Sequence, residues 1–272
     1  MKIALTQFDM AWEDKALNKH RAKAEIEAAK KAGCDMVIFP EMTLTGFSMQ
    51  LSVVAELPGE NGYTETMDWF LQQSIEADIV LVFGYVKWMP DKKKAANMLA
   101  AVKNGRVLYE YQKIHPFSYA GEDEYYAGGN AVSRFQYKDV IFGGFICYDL
   151  RFPEIFQIIS EETDAIIVIA NWPEERICQW EALLRARAIE NQCYILGVNR
   201  YGSGDGLTYP KSSMAFDPTG KKIGESKGEN TFIQVMVEKE KVRECRNSFP
   251  VRQDRREALY RGLRKRTFGI EK

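Results

Sequence analysis

Histidine is almost missing from this sequence. Its 272 residues include only His20 and His115, so no three-histidine metal site can form, and any imidazole chemistry must run through one of two positions. Charge of a dominant sign is missing too: 37 basic and 38 acidic residues leave a net charge of -1, which gives neither nucleic acid nor an anionic membrane a reason to attach. No apolar run reaches eighteen residues, so no bilayer span is expected. The N-terminal MKIALTQFDM reads as a buried strand without the apolar core and cleavage site of a secretory signal. Five cysteines, at 34, 147, 178, 193 and 245, lack CxxC spacing, which argues against a disulfide framework or a zinc site and for free thiols in a reducing cytoplasm.

What is present is an alternation of continuous apolar runs with amphipathic stretches, the pattern of buried strands covered by helices in an α/β or α+β layered fold. The runs predict strands over 2–8, 35–40, 78–86, 95–102, 107–111, 140–147, 165–170, 194–199, 213–216 and 231–237. Helices are predicted over 17–31, 64–76, 153–161 and 174–192. In the last helix Ile177, Trp180, Leu184 and Ala188 form an apolar face, Glu181 and Arg185 can pair, and Cys178 and Cys193 read as packing residues. Turn signals at 103–106 and 217–220 read as hairpins within one domain spanning 1–272. From about Val251 a basic C-terminal arm carries eight Lys/Arg against three acids; with no recognition motif, it reads as a solvated tail or an arm against a neighbouring subunit.

Three positions carry candidate chemistry. Cys147 ends an apolar run and precedes Pro153, a good helix starter, so its thiol sits at a strand-to-helix corner where unpaired N–H groups favour a thiolate and a developing oxyanion. A nucleophile needs a base. His115 is one candidate; Glu41, where the apolar run Val37-Ile38-Phe39-Pro40 ends in a carboxylate, is another. Burial would make Glu41 a better proton acceptor, and a nearby cation would oppose that. Lys113, at the end of the strand from Val107, would stabilise such a carboxylate and an oxyanion if brought near both. Read singly, each has an ordinary alternative: a packed cysteine, a solvated acid, a surface lysine.

Read together, the order Glu41, Lys113, Cys147 resembles the nitrilase superfamily of carbon-nitrogen hydrolases over nearly the whole chain. The resemblance rests on Phe39-Pro40-Glu41 with Gly46-Phe47-Ser48, on Lys113-Ile114-His115-Pro116-Phe117 with Gly121-Glu122, and on Cys147-Tyr148-Asp149-Leu150-Arg151-Phe152-Pro153-Glu154. Ala170-Asn171-Trp172-Pro173, the run 185–192 and Gly197-Val198-Asn199-Arg200 extend it. Within the superfamily the sequence is most similar to the bacterial omega-amidase-like branch, which acts on the amides of 2-oxo acids such as 2-oxoglutaramate.

The resemblance implies a four-layer α-β-β-α sandwich with Glu41 as general base, Lys113 as electrostatic stabiliser and Cys147 as nucleophile. Glu122 becomes a supporting acid, the Tyr148 N–H an oxyanion donor, and His115 a loop-shaping residue. It implies a small-molecule amide as substrate, no metal or organic cofactor, and at least a homodimer. Phe117 and Trp172 are candidate substrate walls, equally readable as core. Arg151, Arg176 and Lys211 are candidates for a distal carboxylate. The triad alone also accommodates a nitrilase, a carbamoylase, an acyltransferase or a non-catalytic binding protein on the same fold.

Overall fold

The apolar runs become the strands of two sheets. In the seven-stranded sheet the order is Glu225–Ser226, Phe232–Met236, Lys2–Thr6, Met36–Ile38, Val80–Trp88, Ala95–Lys103, Arg106–Gln112. In the six-stranded sheet it is Lys222–Ile223, Met214–Phe216, Tyr194–Asn199, Ala165–Ala170, Val140–Ile146, Arg134–Tyr137. The three central strands of each sheet run parallel and their flanking partners antiparallel. The computed structural model describes residues 1–91, 93–226 and 231–268.

Strand alternation builds the layers. Ile3, Leu5, Met36, Ile38, Val80 and Val82 enter a core shared with Phe142 and Phe145 of the other sheet. Their alternates Ala4, Val37, Leu81 and Phe83 face Ala22, Ile26, Met67 and Phe70 on the helices Lys15–Lys31 and Glu65–Ala77. On the outer face of the six-stranded sheet, Phe156 and Ile159 of helix Pro153–Ser160 and Trp180, Leu184 and Ala188 of helix Ile177–Asn191 complete the α-β-β-α sandwich. Each side chain of this size contributes about 1.5–3 kcal/mol by leaving water. The helix approaches so closely that a Cβ on Gly197 would lie 2.5 Å from Leu184 and 2.9 Å from Trp180.

Local signals set the boundaries. Asp14 and Thr64 accept from the N–H groups of Leu17 and Met67 to cap two helices, and Pro153 occupies the first turn of a third. Asn104 and Gly105, both at positive φ, close the hairpin between Ala95–Lys103 and Arg106–Gln112. The helix expected over 174–192 divides into a 3-10 turn, Glu174–Arg176, and Ile177–Asn191; the left-handed Gln192 ends it. Cys178, expected to pack, is instead exposed because it falls on the helix's outer side, whereas Cys193 is fully buried. The segment from Val251 forms a 3-10 turn, Val251–Asp254, and a helix, Glu257–Phe268; Arg255 donates to Glu190 O at 2.9 Å on its own chain. The last four residues of the expected arm lie outside the described residues.

Candidate active site

The strand Met36–Ile38 delivers Glu41 to the edge of the inter-sheet core. Met42 then turns the chain at φ +47°, and the loop lies flat on Gly84 of the neighbouring strand. A Cβ on Gly84 would sit 2.4 Å from Met42 N and 2.8 Å from Glu41 Cα, so the approach requires glycine. Glu41 is wholly buried and fully engaged. Oε2 accepts from the Asn171 N–H at 2.9 Å and Nδ2 at 3.3 Å, while Oε1 accepts from Asn97 Nδ2 at 2.7 Å and Lys113 Nζ at 3.1 Å.

Lys113 follows the strand Arg106–Gln112, and its N–H bonds Asn97 O at 2.9 Å. Its ammonium, 1% exposed, lies between two buried carboxylates: Glu41 at 3.1 Å and Glu122 at 2.7 and 3.0 Å. The Phe47 ring stands 5.3 Å from Nζ. Glu122 also accepts from the Phe117 N–H at 2.5 Å and from Asn97 Nδ2 at 3.0 Å, so Asn97 bridges both carboxylates. Burial alone would depress the Lys113 pKa, but Glu122 and then Glu41 outweigh it and raise it, keeping the ammonium charged. Burial raises the Glu122 pKa, opposed by Lys113 and reinforced by Glu41.

Cys147 ends the strand Val140–Ile146 at φ +47°, a left-handed conformation held by its surroundings, and opens the 3-10 helix Cys147–Arg151. The buried Asp149 locks this corner. Its carboxylate accepts from the N–H of Ile146 at 3.1 Å, the hydroxyl of Tyr111 at 2.8 Å and the N–H of His115 at 3.0 Å. His115 Nδ1 lies 2.8 Å from the same carboxylate and its ring stacks on Phe152 at 3.7 Å, so the imidazole ties two loops together. The thiol lies 4.0 Å from Asn171 O. The surroundings at rest favour the neutral thiol over the expected thiolate: burial first, then the Glu41 charge, push the Cys147 pKa well above its usual value against the pull of Lys113. A five-residue 3-10 turn does not offset that desolvation.

Lys113 and Cys147 meet at a pocket of about 340 Å³. Phe47, Phe117, Tyr148 and Trp172 give it aromatic walls, with Phe117 and Tyr148 4.8 Å apart. Of the three expected cationic candidates, Arg151 and Arg176 line the pocket. Arg151 donates to Gln179 at 2.7 Å and lies over Trp172 at 4.9 Å. Arg176 lies over Phe117, 5.8 Å from the ring, and has an exposed Glu175 at 3.8 Å. Lys211 is not on the pocket wall; its ammonium stands over Tyr201 instead. Sequence reasoning assigned nothing to Asn97, Asn171 or Tyr209. A lone amide inside the apolar run 95–102 was the available signal for Asn97. A thiol, a carboxylate and an ammonium so placed can attack a carbonyl carbon, move a proton and hold a developing oxyanion.

The carbon-nitrogen hydrolase family profile matches residues 2–247. The chain is 31% identical over 259 residues to the 2-oxoglutaramate amidase of Bacillus subtilis (strain 168), covering 95% of this chain and 98% of that one. It is 31% identical over 256 residues to the omega-amidase YafV of Escherichia coli (strain K12), covering 93% and 96%. Among solved structures, the CN-hydrolase superfamily protein XC1258 of Xanthomonas campestris superposes with a TM-score of 0.84 at 28% identity, over 94% of this chain and 97% of that one. Saccharomyces cerevisiae Nit3, of branch 10 of the nitrilase superfamily, shares the fold with a TM-score of 0.83 at 24% identity, over 92% and 94%. With its fold, its Glu-Lys-Cys cluster and these matches, the chain belongs to the carbon-nitrogen hydrolase family.

Proposed function

We propose that this hydrolase of non-peptide carbon–nitrogen bonds cleaves the omega-amide of a small 2-oxo acid, 2-oxoglutaramate or 2-oxosuccinamate, to the carboxylate and ammonia. One observation carries the chemistry: the buried Lys113 ammonium, shared by Glu41 and Glu122, reaches the same aromatic-walled pocket as Cys147. The printed activities of the relatives, 2-oxoglutaramate amidase and omega-amidase, supply the substrate class.

In this reading the neutral thiol waits for substrate. Glu41 takes the Cys147 proton as sulfur attacks the amide carbon, and the oxyanion forms between Lys113 and the backbone N–H of Tyr148. The C–N bond then breaks, the proton on Glu41 passes to the departing nitrogen, and ammonia leaves an acyl-thioester. Glu41 next deprotonates a water that attacks the thioester; the C–S bond breaks, sulfur regains a proton, and the acid departs. Glu122 holds Lys113 in place, while Asn97 and Asn171 aim the Glu41 carboxylate. Phe117 and Trp172 bound the acyl chain. Arg176 takes the distal carboxylate, since the guanidinium of Arg151 is already bonded to Gln179. No step draws on a cofactor.

Ammonia release measured over a panel of 2-oxo acid amides, glutamine, asparagine, N-carbamoyl amino acids and nitriles tests the substrate class. The 2-oxo acid amides are expected to lead; turnover of nitriles or carbamoyl compounds alone overturns it. Asn97→Ala frees both carboxylates from their shared donor, and kcat is expected to fall about 10- to 100-fold with little change in KM. A KM effect without a kcat effect would place Asn97 outside this network.

The same proposal takes the chain as one domain that works in the cytoplasm as a homodimer or larger homo-oligomer. Ile158, 61% exposed, and Ile189, 51% exposed, on the outer helices supply apolar surface for pairing. Light scattering at micromolar concentration is expected to give a multiple of 31.2 kDa, and a monomer mass would reject the pairing. Among the described residues no helix is long and apolar enough to cross a membrane.

A further inference from the structure

Arg200 is fully buried and forms no ion pair among the described residues, with Asp9 the one carboxylate in electrostatic range among them. Its Nη2 donates to Met10 O at 2.8 Å and Ser203 O at 2.7 Å, while Nε and Nη1 find no acceptor. Burying a guanidinium this way is costly, and the structure makes room for it: a Cβ on Gly204 would lie 2.5 Å from Nη1. What faces the charge is the ring of Tyr209, 4.4 Å from the guanidinium carbon, an arrangement in which the electron-rich ring face offsets part of the lost hydration.

Tyr209 belongs to the hairpin of Gly202–Gly204 and Leu207–Tyr209, closed by Asp205 and Gly206 at positive φ. The turn and the cation beneath fix the ring, which is 3% exposed and forms part of the pocket wall. Among the described residues its hydroxyl has no hydrogen-bond partner. Burial pushes its pKa up to about 12 against the pull of Arg200, with Glu41 adding to the rise, so it is a neutral donor on the pocket wall. Elsewhere on the wall Lys113 and the Asn171 amide nitrogens bond Glu41, and Arg151 bonds Gln179.

We propose that Tyr209, seated on Arg200, binds substrate by donating its hydroxyl to the 2-oxo group, and so selects 2-oxo acid amides over plain omega-amides. The inference rests on the substrate class proposed above. Such a substrate has three polar groups: the scissile amide meets Cys147, Lys113 and the Tyr148 N–H, and the distal carboxylate meets an arginine. The ketone between them is an acceptor only, and a neutral hydroxyl donor matches it without attracting a competing anion.

The test compares wild type and Tyr209→Phe, which keeps the ring over Arg200, on 2-oxoglutaramate and on glutaramate, the same chain without the oxo group. The expected result is a fall in kcat/KM of about 10- to 100-fold on 2-oxoglutaramate and of less than about 3-fold on glutaramate, with an unchanged unfolding midpoint. Equal losses on both substrates would move the hydroxyl to the reacting amide and overturn the inference, as would no loss on either. Wild type inactive on 2-oxoglutaramate but active on glutaramate overturns the substrate class and this inference with it; active wild type with an unaltered variant overturns this inference alone.

Discussion

Cys147→Ala is expected to lower amide hydrolysis by about 10⁴-fold or more, because the proposed reaction passes through a covalent bond that only this sulfur can form. None of the other cysteines can stand in. Cys34 and Cys193 are buried within the cores, Cys178 lies on an outer helix face, and Cys245 bonds Pro218 O on a C-terminal helix. The pocket survives the change, so calorimetry is expected to show the variant still binding 2-oxoglutaramate while releasing no ammonia. Cys147→Gly separates chemistry from strain. At φ +47° glycine relieves a conformation that a side chain resists, so this variant should be equally inactive yet no less stable to urea than Cys147→Ala. Hydrolysis by Cys147→Ala at a rate near wild type would reject the covalent mechanism.

The positions of Glu41, Lys113 and Cys147 were legible because each stands where an apolar strand runs out, and in a layered α/β fold strand ends converge on the same edge of the core. The strands 165–170 and 194–199 were legible to the residue because they are buried on both faces and leave no ambiguity of period. Orientation within a loop or around a helix was less legible. Cys178 looked like a packing residue from composition but falls on the exposed arc of its helix, and Lys211 could not be told from Arg176 without knowing which loop turns toward the pocket. Tyr209 escaped notice, and Arg200 was in view only as the end of a motif, for another reason: their importance lies in a stack between a strand end and a short hairpin, which neither spacing nor periodicity records. Asp149 was in view as part of a motif, but its bonds to Tyr111, Ile146 and His115 depend on three separated segments meeting.

Lys113→Met is expected to reduce kcat by about 10³-fold, as loss of an oxyanion donor does, and also to destabilise the fold in a pH-dependent way. The methionine fills much of the space and carries no charge, leaving two buried carboxylates, bridged only by Asn97, to face each other. Burial and the neighbouring Glu41 already raise the Glu122 pKa while Lys113 opposes them; removing the ammonium raises it further. The folded variant therefore holds a proton that the unfolded chain, with a glutamate pKa of about 4.3, releases. A folded-state pKa above the unfolded one gives stability that is fully present below the unfolded value and lost as pH climbs through the folded value. Urea unfolding at pH 5 and pH 8 should then show the deficit of Lys113→Met against wild type widening at the higher pH, toward the 3–5 kcal/mol typical of breaking a buried ion pair by removing one partner. A deficit equal at both pH values would mean that the cost is packing alone, and that Lys113 does not neutralise the glutamate pair at the floor of the site.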